Sequence, residues 1–525
     1  MSNRLPIYRL KPESVDVRHL IDLGRRIFDL DQGYELSERG TSHVLRSGRR
    51  MVELDRGSGG IWAADEAQLW KPSVHPKLLD ETDALAKANE IVRQRYLMPE
   101  LAKPFRFGKP TVGGTYFSLS RDGKREDRRL DVQIVYPVMV GDLPVVGGGG
   151  DFTLILGDQG AVIGFSGVWR QAKEAFEAAV VKPERVDEQF RALTKAMKIL
   201  SVDRSLAYYA APSFQEQEFL YPVYVYRATA LLGEQPVPLR QIMLPATDFG
   251  PPVEFGAPQP PRQKSTRIQR PRERGFRRSY ATLAARNPFE AGTSWIGQSG
   301  GLPGSQANAQ GFIDELAASG WLINFNWGDA NAWESDWRRN DDDWVDAADF
   351  VFYTGHANMN GWTLSRPDDN FLSFMEVGAG PQTLGDLWGQ NDLEWVVIAA
   401  CGPLQDEILA NDGGDVFDRW DGAFDGLHIL LGYGAVTFDN EVEGRKLVQY
   451  ARNGSTLIDA WFRTAKEVQP SDNGVSAPDG PNVYVGAMWV GRDGIDPSND
   501  HAWGFGSVSA DPTSPTWYAA MWTLC

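Results

Sequence analysis

The spacing of apolar residues in the first half of the chain predicts separate helices and strands without an internal repeat. Residues 83–97 have helical spacing and begin with acidic side chains, whereas residues 129–140 are rich in β-formers and partly alternate. The pattern also predicts two strands joined by a tight turn, a second helix and a further strand, at residues 152–156, 161–169, 182–200 and 219–230. This half is therefore predicted to be an α+β region.

In the second half the pattern changes to strands that alternate with helices, which indicates a parallel α/β sheet. Two runs, residues 349–354 and 395–400, are almost entirely apolar, as expected for strands that are buried on both faces. Further strands are predicted at residues 293–297, 321–327, 427–433 and 483–489, and helices at residues 307–318, 442–452 and 455–468. We expect a mostly parallel sheet flanked by helices.

A segment rich in proline and then in arginine separates the two halves. Prolines recur from Pro251 to Pro271 and prevent regular structure, and residues 262–278 are strongly basic with Glu273 as their only acid. We therefore divide the chain into an N-terminal region of one or two subdomains (residues 1–245, with the inner break near residue 115), a linker (246–285) and a C-terminal domain (286–525). A solvated linker that lies on the acidic C-terminal half is the simplest interpretation of the basic run.

Charge and cysteine content exclude several classes of protein. The chain has 53 basic and 70 acidic side chains, a formal net charge of −17, and residues 286–525 alone carry 11 basic against 35 acidic ones. Nucleic-acid binding is not expected of such a chain. Two cysteines allow no disulfide framework, so we expect a reducing, cytoplasmic setting, with a secreted protein whose leader has been removed as the alternative. No apolar stretch is long enough to predict a membrane span.

Two of the predicted buried strands end in residues that can carry chemistry. The run at 349–354 is followed by Gly355 and His356, and the run at 395–400 by Cys401 and Gly402. Because active sites of open α/β sheets lie at the carboxyl ends of the strands, neighbouring strands would bring His356 and Cys401 together. An imidazole beside a thiol favours the thiolate, which attacks a carbonyl, and the imidazole then protonates the leaving amine. The sequence therefore predicts a His/Cys catalytic dyad.

The motifs Tyr353-Thr354-Gly355-His356 and Ala399-Ala400-Cys401-Gly402 resemble those of the caspase-like (clan CD) cysteine peptidases, in particular an uncharacterised bacterial and fungal branch. The resemblance covers about residues 290–490. It implies an α/β caspase-like C-terminal domain, and an oxyanion hole formed by backbone N–H groups of Ala357, Cys401 and Gly402. Two positions differ from the family pattern: Ala357 stands where the family usually has glycine after the histidine, and Pro403 stands where caspases have a glycine two positions after the nucleophile.

Substrate specificity and regulation follow from the charge distribution. The resemblance implies that a charged pocket recognises the side chain before the cleaved bond, and a strongly acidic domain favours a cationic side chain, arginine or lysine, there. The candidate pocket acids are Asp329, Asp439 and Glu441, because they follow predicted strand ends. The alternative to a solvated linker is that the Arg-rich segment 262–278 is an autocleavage site. The N-terminal half would then be a prodomain or regulatory module of a zymogen; residues 143–169 weakly resemble PepSY-like prodomains.

Other chemistry is not favoured by the sequence. The acidic residues 341–343, with Asp336 and Asp346 nearby, match no calcium loop and favour a solvated acidic face. We expect no metal and no cofactor, and a peptide or protein as substrate. Two alternatives stay open: a catalytically inactive binding or scaffold protein of the same fold, and an amide-processing enzyme that uses the thiolate for acyl transfer in a biosynthetic pathway.

Overall fold

The structure is a computed structural model that describes residues 4–262, 289–365, 370–377, 388–410, 413–476 and 479–525. Of the predicted linker at residues 246–285, only residues 246–262 are described. Most of the predicted autocleavage segment at residues 262–278 therefore lies outside the described residues.

Residues 4–262 form eighteen strands and three helices. The helices are α1 (Val17–Phe28), α2 (Glu81–Arg95) and α3 (Pro183–Leu193). The strands are β1 (Arg4–Pro12), β2 (Glu35–Arg39), β3 (Ser42–Ser47), β4 (Arg50–Asp55), β5 (Gly60–Asp65), β6 (Phe105–Phe107), β7 (Thr111–Gly113), β8 (Thr115–Arg121), β9 (Lys124–Arg129), β10 (Val132–Val140), β11 (Leu143–Val146), β12 (Asp151–Leu156), β13 (Val162–Val168), β14 (Arg170–Ala179), β15 (Lys198–Tyr209), β16 (Phe219–Leu232), β17 (Gln235–Pro238) and β18 (Ile242–Pro245).

Several elements predicted in this half are confirmed and one is wrong in part. Helix α2 is confirmed, and Asp80 is its N-cap, because the Asp80 side chain accepts the Asp83 N–H at 2.9 Å. The predicted hairpin β12–β13 is also confirmed. The helix predicted over residues 182–200 ends at Leu193, and the chain re-enters the sheet as β15. Alternating β-formers after residue 198 pair with β16 along the whole strand, so tertiary pairing overrides the helical pattern.

One large sheet accounts for sixteen of these strands. Its main path is β14-β1-β16-β15-β11-β10-β12-β13-β5-β4-β3-β2, with β17 and β18 paired to β16 and with β6 and β7 paired to β10. Its neighbouring strands are antiparallel except for the short parallel pair β11–β15. Helices α1 and α2 pack on one part of this sheet and bury an apolar cluster that includes Leu20, Leu54, Ile91 and Ile134.

The described residues from 289 onward form ten strands and four helices. The helices are α4 (Ser305–Ala318), α5 (Val416–Trp420), α6 (Glu443–Arg452) and α7 (Leu457–Val468). The strands are β19 (Glu290–Trp295), β20 (Leu322–Gly328), β21 (Phe350–Thr354), β22 (Ala357–Asn358), β23 (Gly361–Thr363), β24 (Phe371–Ser373), β25 (Trp395–Ala399), β26 (Ile429–Tyr433), β27 (Tyr484–Gly491) and β28 (Trp517–Leu524).

The predicted mostly parallel, caspase-like α/β domain is wrong. The sheet has nine strands in the order β20-β19-β21-β25-β26-β27-β28-β8-β9, and only its first five run parallel. Strands β27, β28, β8 and β9 add four antiparallel pairings, and the described residues together are dominated by strands and by the larger antiparallel sheet. A buried apolar run has the same composition whichever way its neighbour runs, so the pattern of residues 483–489 did not reveal its direction.

The two halves of the chain share this nine-stranded sheet. The hairpin β8–β9 lies beyond the predicted break near residue 115 and pairs with β28, so that Thr115 lies opposite Thr523. A buried ion pair also joins the halves, because Arg463 on α7 donates to the Glu53 carboxylate of β4 at 2.9 Å. The N-terminal region therefore packs directly against the C-terminal one. In the parts of the chain that the structure describes, no helix combines the length and apolar character needed to cross a membrane.

Candidate functional site

His356 and Cys401 lie at the same edge of the nine-stranded sheet. Strands β21 and β25 are hydrogen-bonded neighbours that run parallel, with Thr354 opposite Ala399. Each candidate residue follows two positions after this pair, at the carboxyl end of its strand. The buried runs that the sequence shows before both residues therefore form adjacent strands and bring His356 and Cys401 to the same edge of the sheet.

The His356 imidazole is buried and held through both ring nitrogens. Nδ1 accepts the backbone N–H of Arg240 at 3.1 Å, so the ring proton is on Nε2, which donates to the Gly300 carbonyl at 2.7 Å. Burial and, to a smaller extent, the nearby Arg240 charge lower the pKa of His356 to about 4, against the opposing effect of the Gly300 carbonyl. At neutral pH the imidazole is uncharged, and its Nδ1 is occupied.

Cys401 is equally buried, with 1% of its surface exposed. Its Sγ accepts the Thr437 N–H at 3.3 Å and lies 3.7 Å from the Thr437 hydroxyl. Burial raises the pKa of this thiol, although the Thr437 N–H and the Arg240 charge both oppose that effect. In the described conformation the thiol is therefore protonated and shielded from solvent.

Arg240, from the N-terminal half, contacts His356 through its backbone, and its charge acts on both His356 and Cys401. It belongs to the short connection between β17 and β18, and its side chain is fully buried. The guanidinium donates hydrogen bonds to four groups, which are the Thr354 hydroxyl (3.0 Å), the Ala399 carbonyl (2.8 Å), the Phe438 carbonyl (2.7 Å) and the Glu443 carboxylate (3.1 Å). Sequence reasoning missed this residue; the signal available was a single charge inside the apolar run Val237–Leu244.

The acid that pairs with this arginine is Glu443, which was not among the predicted pocket acids. Glu443 begins α6 and also accepts hydrogen bonds from the Tyr433 hydroxyl at 2.7 Å and the Gln469 amide at 2.6 Å. Glu441, two residues earlier, is exposed. Because Glu441 and Glu443 both follow β26, their positions in the sequence do not predict which of the two side chains is buried.

The other two predicted pocket acids have different surroundings. Asp439 is half-buried and accepts the Gly304 N–H at 2.7 Å; desolvation of its carboxyl group raises its pKa to about 6, although the Arg240 charge opposes this. Asp329 accepts the backbone N–H groups of Gly297 and Ser299 at 3.0 and 2.9 Å, so it caps the turn after β19. Of the three, only Asp439 is near Arg240.

The predicted oxyanion-hole residues follow β21 and β25, and not all of their N–H groups are available as donors. The Gly402 N–H donates to the Ala435 carbonyl at 3.1 Å, and Gly402 has a φ of +73° that favours glycine. Ala357 is buried in β22, opposite Trp362. The Gly402 N–H would need to leave Ala435 before it could stabilise an oxyanion next to Cys401.

The acidic run at residues 341–343 and its neighbours form the predicted solvated face only in part, because Asp342 and Asp343 are exposed and the other three acids are buried. Asp336, Asp341 and Asp346 are each 1% exposed. Asp336 pairs with Arg262, whose guanidinium lies 4.4 to 4.5 Å from the ring centroids of Trp327, Trp333 and Trp344. The first residue of the predicted autocleavage segment is thus held in an aromatic cage rather than exposed to a protease.

One group of carboxylates could hold a cation. Asp349, Asp392 and Glu394 offer oxygens that all lie within 4.8 Å of one another, and burial raises the pKa of Glu394 well above its usual value. Asp349 precedes β21 and Glu394 precedes β25, so the group lies at the end of the sheet opposite to His356 and Cys401. Carboxylates in this arrangement suit a hard divalent cation, but they are remote from the thiol.

The lowered pKa of His356 predicts a specific pH dependence of stability. The unfolded imidazole has a pKa near 6.5 and the folded one about 4, so His356 stabilises the fold fully above pH 6.5, and this contribution is lost as the pH falls toward 4. We expect the difference in unfolding free energy between wild type and His356→Gln to shrink by about 3 kcal/mol over this window. Urea unfolding at several pH values measures it, and a pH-independent difference would contradict the assignment.

Comparison with known proteins gives the chain a family match without an activity. Residues 290–524 match the family DUF6345, which is described as a domain of unknown function. Among solved structures, the chain is similar to an uncharacterized protein from Eubacterium rectale ATCC 33656, with 10% sequence identity and a TM-score of 0.29 over 47% of this chain and 86% of that one. No curated protein matches the chain.

Proposed function

We propose that the chain is a cysteine endopeptidase in a latent form, with Cys401 as nucleophile and His356 as general base and acid. The observation that carries this proposal is the register of two parallel neighbours, β21 and β25, which end in these two residues at the same edge of the sheet. A buried polar pocket directly below that edge, now filled by Arg240, supports cleavage after an arginine.

In the open form, His356 Nδ1 takes the proton of the Cys401 thiol, and the thiolate attacks the carbonyl carbon of the scissile bond. The resulting tetrahedral oxyanion collapses, the C–N bond breaks, and the imidazolium gives its proton to the leaving amine. A water then attacks the thioester with His356 as base, which releases the acid and restores the thiol. The Nε2–H bond to Gly300 orients the ring and stabilises the imidazolium.

The described conformation is a resting state for this chemistry. His356 Nδ1 is bound to the Arg240 N–H, and the Cys401 thiol is buried with a raised pKa. Local opening that withdraws Arg240 would free both groups at once. Cleavage within residues 263–278, as the basic sequence predicts, would be a way to loosen the N-terminal half.

A non-catalytic binding protein is the second candidate. It is favoured by the occupation of both imidazole nitrogens and by the burial of the thiol in the same conformation. In that case the pocket would serve only to hold the two halves of the chain together.

A positional library of fluorogenic peptides distinguishes these candidates. The full chain is assayed in sub-denaturing urea, which populates local opening. We expect cleavage after arginine at least 10-fold faster than after lysine or norleucine, since Glu443 and two carbonyls match a guanidinium. Peptide mapping of the same sample detects cleavage after arginines at residues 263–278. A sample in which Cys401 reacts with iodoacetamide but no peptide is cleaved would overturn the peptidase and favour the binding protein.

A further inference from the structure

The connection between β17 and β18 occupies the candidate site in the manner of a bound ligand. We propose that the cavity below His356 and Cys401 is a guanidinium-binding pocket for arginine side chains, and that Arg240 is its internal occupant, which keeps the site closed until the N-terminal half withdraws. This inference rests on the proposed function for its catalytic meaning, although ligand binding by the pocket can be measured without any cleavage.

The chemistry of the pocket matches the two terminal nitrogens of a guanidinium. Nη1 of Arg240 donates to Thr354 Oγ1 and the Ala399 carbonyl, and Nη2 donates to the Phe438 carbonyl and the Glu443 carboxylate. Among the described residues, Arg240 Nε has no hydrogen-bond partner. The acceptors are therefore placed around the end of the side chain, where an incoming arginine of another peptide would present the same two groups.

The main chain of this connection binds beside the thiol as an added strand does. The Gln241 N–H donates to the Thr437 carbonyl at 2.8 Å, and the Gln241 carbonyl accepts the Asp439 N–H at 2.9 Å. Thr437 is also the residue that donates its N–H to Cys401 Sγ. Main-chain pairing next to the nucleophile, with one side chain in a charged pocket, is how an extended peptide is recognised.

A third contact blocks the base directly. The Arg240 N–H occupies His356 Nδ1, the nitrogen that would receive the thiol proton. One short segment thus fills the side-chain pocket, pairs with the adjacent backbone and occupies the base. A buried ion pair adds little net stability compared with apolar packing, so a role in fold stability alone gives no reason to place Arg240 against the imidazole.

The flanking strands hold the segment in place. Strand β17 pairs with residues 229–232 of β16 and strand β18 with residues 223–226, so both ends of the connection belong to the N-terminal sheet. Because the occupant is part of the same chain, its effective concentration is in the millimolar range or above. An arginyl peptide in solution competes only when the N-terminal sheet moves away.

The inference is tested with Arg240→Ala in the full chain, by following the alkylation of Cys401 with iodoacetamide and mass spectrometry. We expect alkylation at least 10-fold faster than in wild type. Agmatine, which carries a guanidinium, should slow it again and raise the melting temperature of the variant, whereas cadaverine, a primary amine of similar length, should not. Arg227→Ala is the matched control, because Arg227 on β16 also donates a hydrogen bond to the C-terminal half, to the Asn473 carbonyl at 3.0 Å. We expect Arg227→Ala to leave the rate of Cys401 alkylation unchanged.

The double variant Arg240→Gln/Glu443→Gln leaves no buried charge unpaired and provides the same alkylation test if Arg240→Ala does not fold. A folded variant of either kind with wild-type alkylation, or Arg240→Ala without a response to agmatine, would overturn the inference. Fast alkylation and agmatine binding without peptide cleavage would support the pocket and contradict the peptidase. Peptide cleavage by Arg240→Ala at the wild-type rate would support the peptidase and contradict the internal occupant.

Discussion

Cys401→Ala is expected to reduce cleavage of arginyl peptides at least 10³-fold, because the proposed mechanism has no other nucleophile. His356→Ala should lose about 10²- to 10⁴-fold, the usual contribution of a general base, since the residual thiolate can still attack slowly. Both variants are compared with wild type by steady-state kinetics in sub-denaturing urea, on the peptide that wild type cleaves best.

Cys525→Ala is the matched control for the loss of a buried thiol. Cys525 is 4% exposed and its pKa is also raised by burial, but it follows β28, three strands away from β25 in the order of the sheet. We expect this variant to keep the wild-type turnover within about twofold. Equal turnover in wild type and Cys401→Ala would show that the cleavage belongs to another group or to a contaminant.

Glu443→Gln is expected to lower the free energy of unfolding by about 3–5 kcal/mol, because it leaves the Arg240 charge buried without a counterion. Both partners are fully buried, and the carboxylate accepts further bonds from Tyr433 and Gln469 that an amide cannot all replace. Urea unfolding followed by tryptophan fluorescence measures this change in the C-terminal half, because 15 of the 18 tryptophans lie there.

Two further variants make this result specific. Glu441→Gln changes an exposed acid two residues away and should alter stability by less than about 0.5 kcal/mol. The double variant with Arg240→Met should regain much of the loss, since it removes both charges. Similar losses for Glu441→Gln and Glu443→Gln would mean that the Arg240–Glu443 pair is not the source of the effect.

The sequence predicted elements well where local pattern decides them. The apolar runs that form β21 and β25 and the periodic segments of α6 and α7 are found where predicted, and His356 and Cys401 follow the two strands as expected. Both signals are local, because they depend on burial and on residues that are neighbours along the chain.

Features that depend on distant segments were not predictable in this way. The direction of β27, the addition of β8 and β9 to the sheet and the change from helix to β15 all depend on pairing partners far away along the chain. Arg240 is separated by 116 residues from the imidazole it contacts. Its position inside an apolar run predicts burial of Arg240 at most, and nothing near it along the chain identifies His356 as its partner.

The most direct measurement is the site and rate of covalent labelling by an arginyl acyloxymethyl ketone, determined by peptide mass spectrometry on the wild-type chain in sub-denaturing urea. The proposed function predicts a single adduct on Cys401, formed at least 10²-fold faster than in His356→Ala, with Cys525 unlabelled. Labelling that is equal at Cys401 and Cys525, or that has the same rate in His356→Ala, would contradict it.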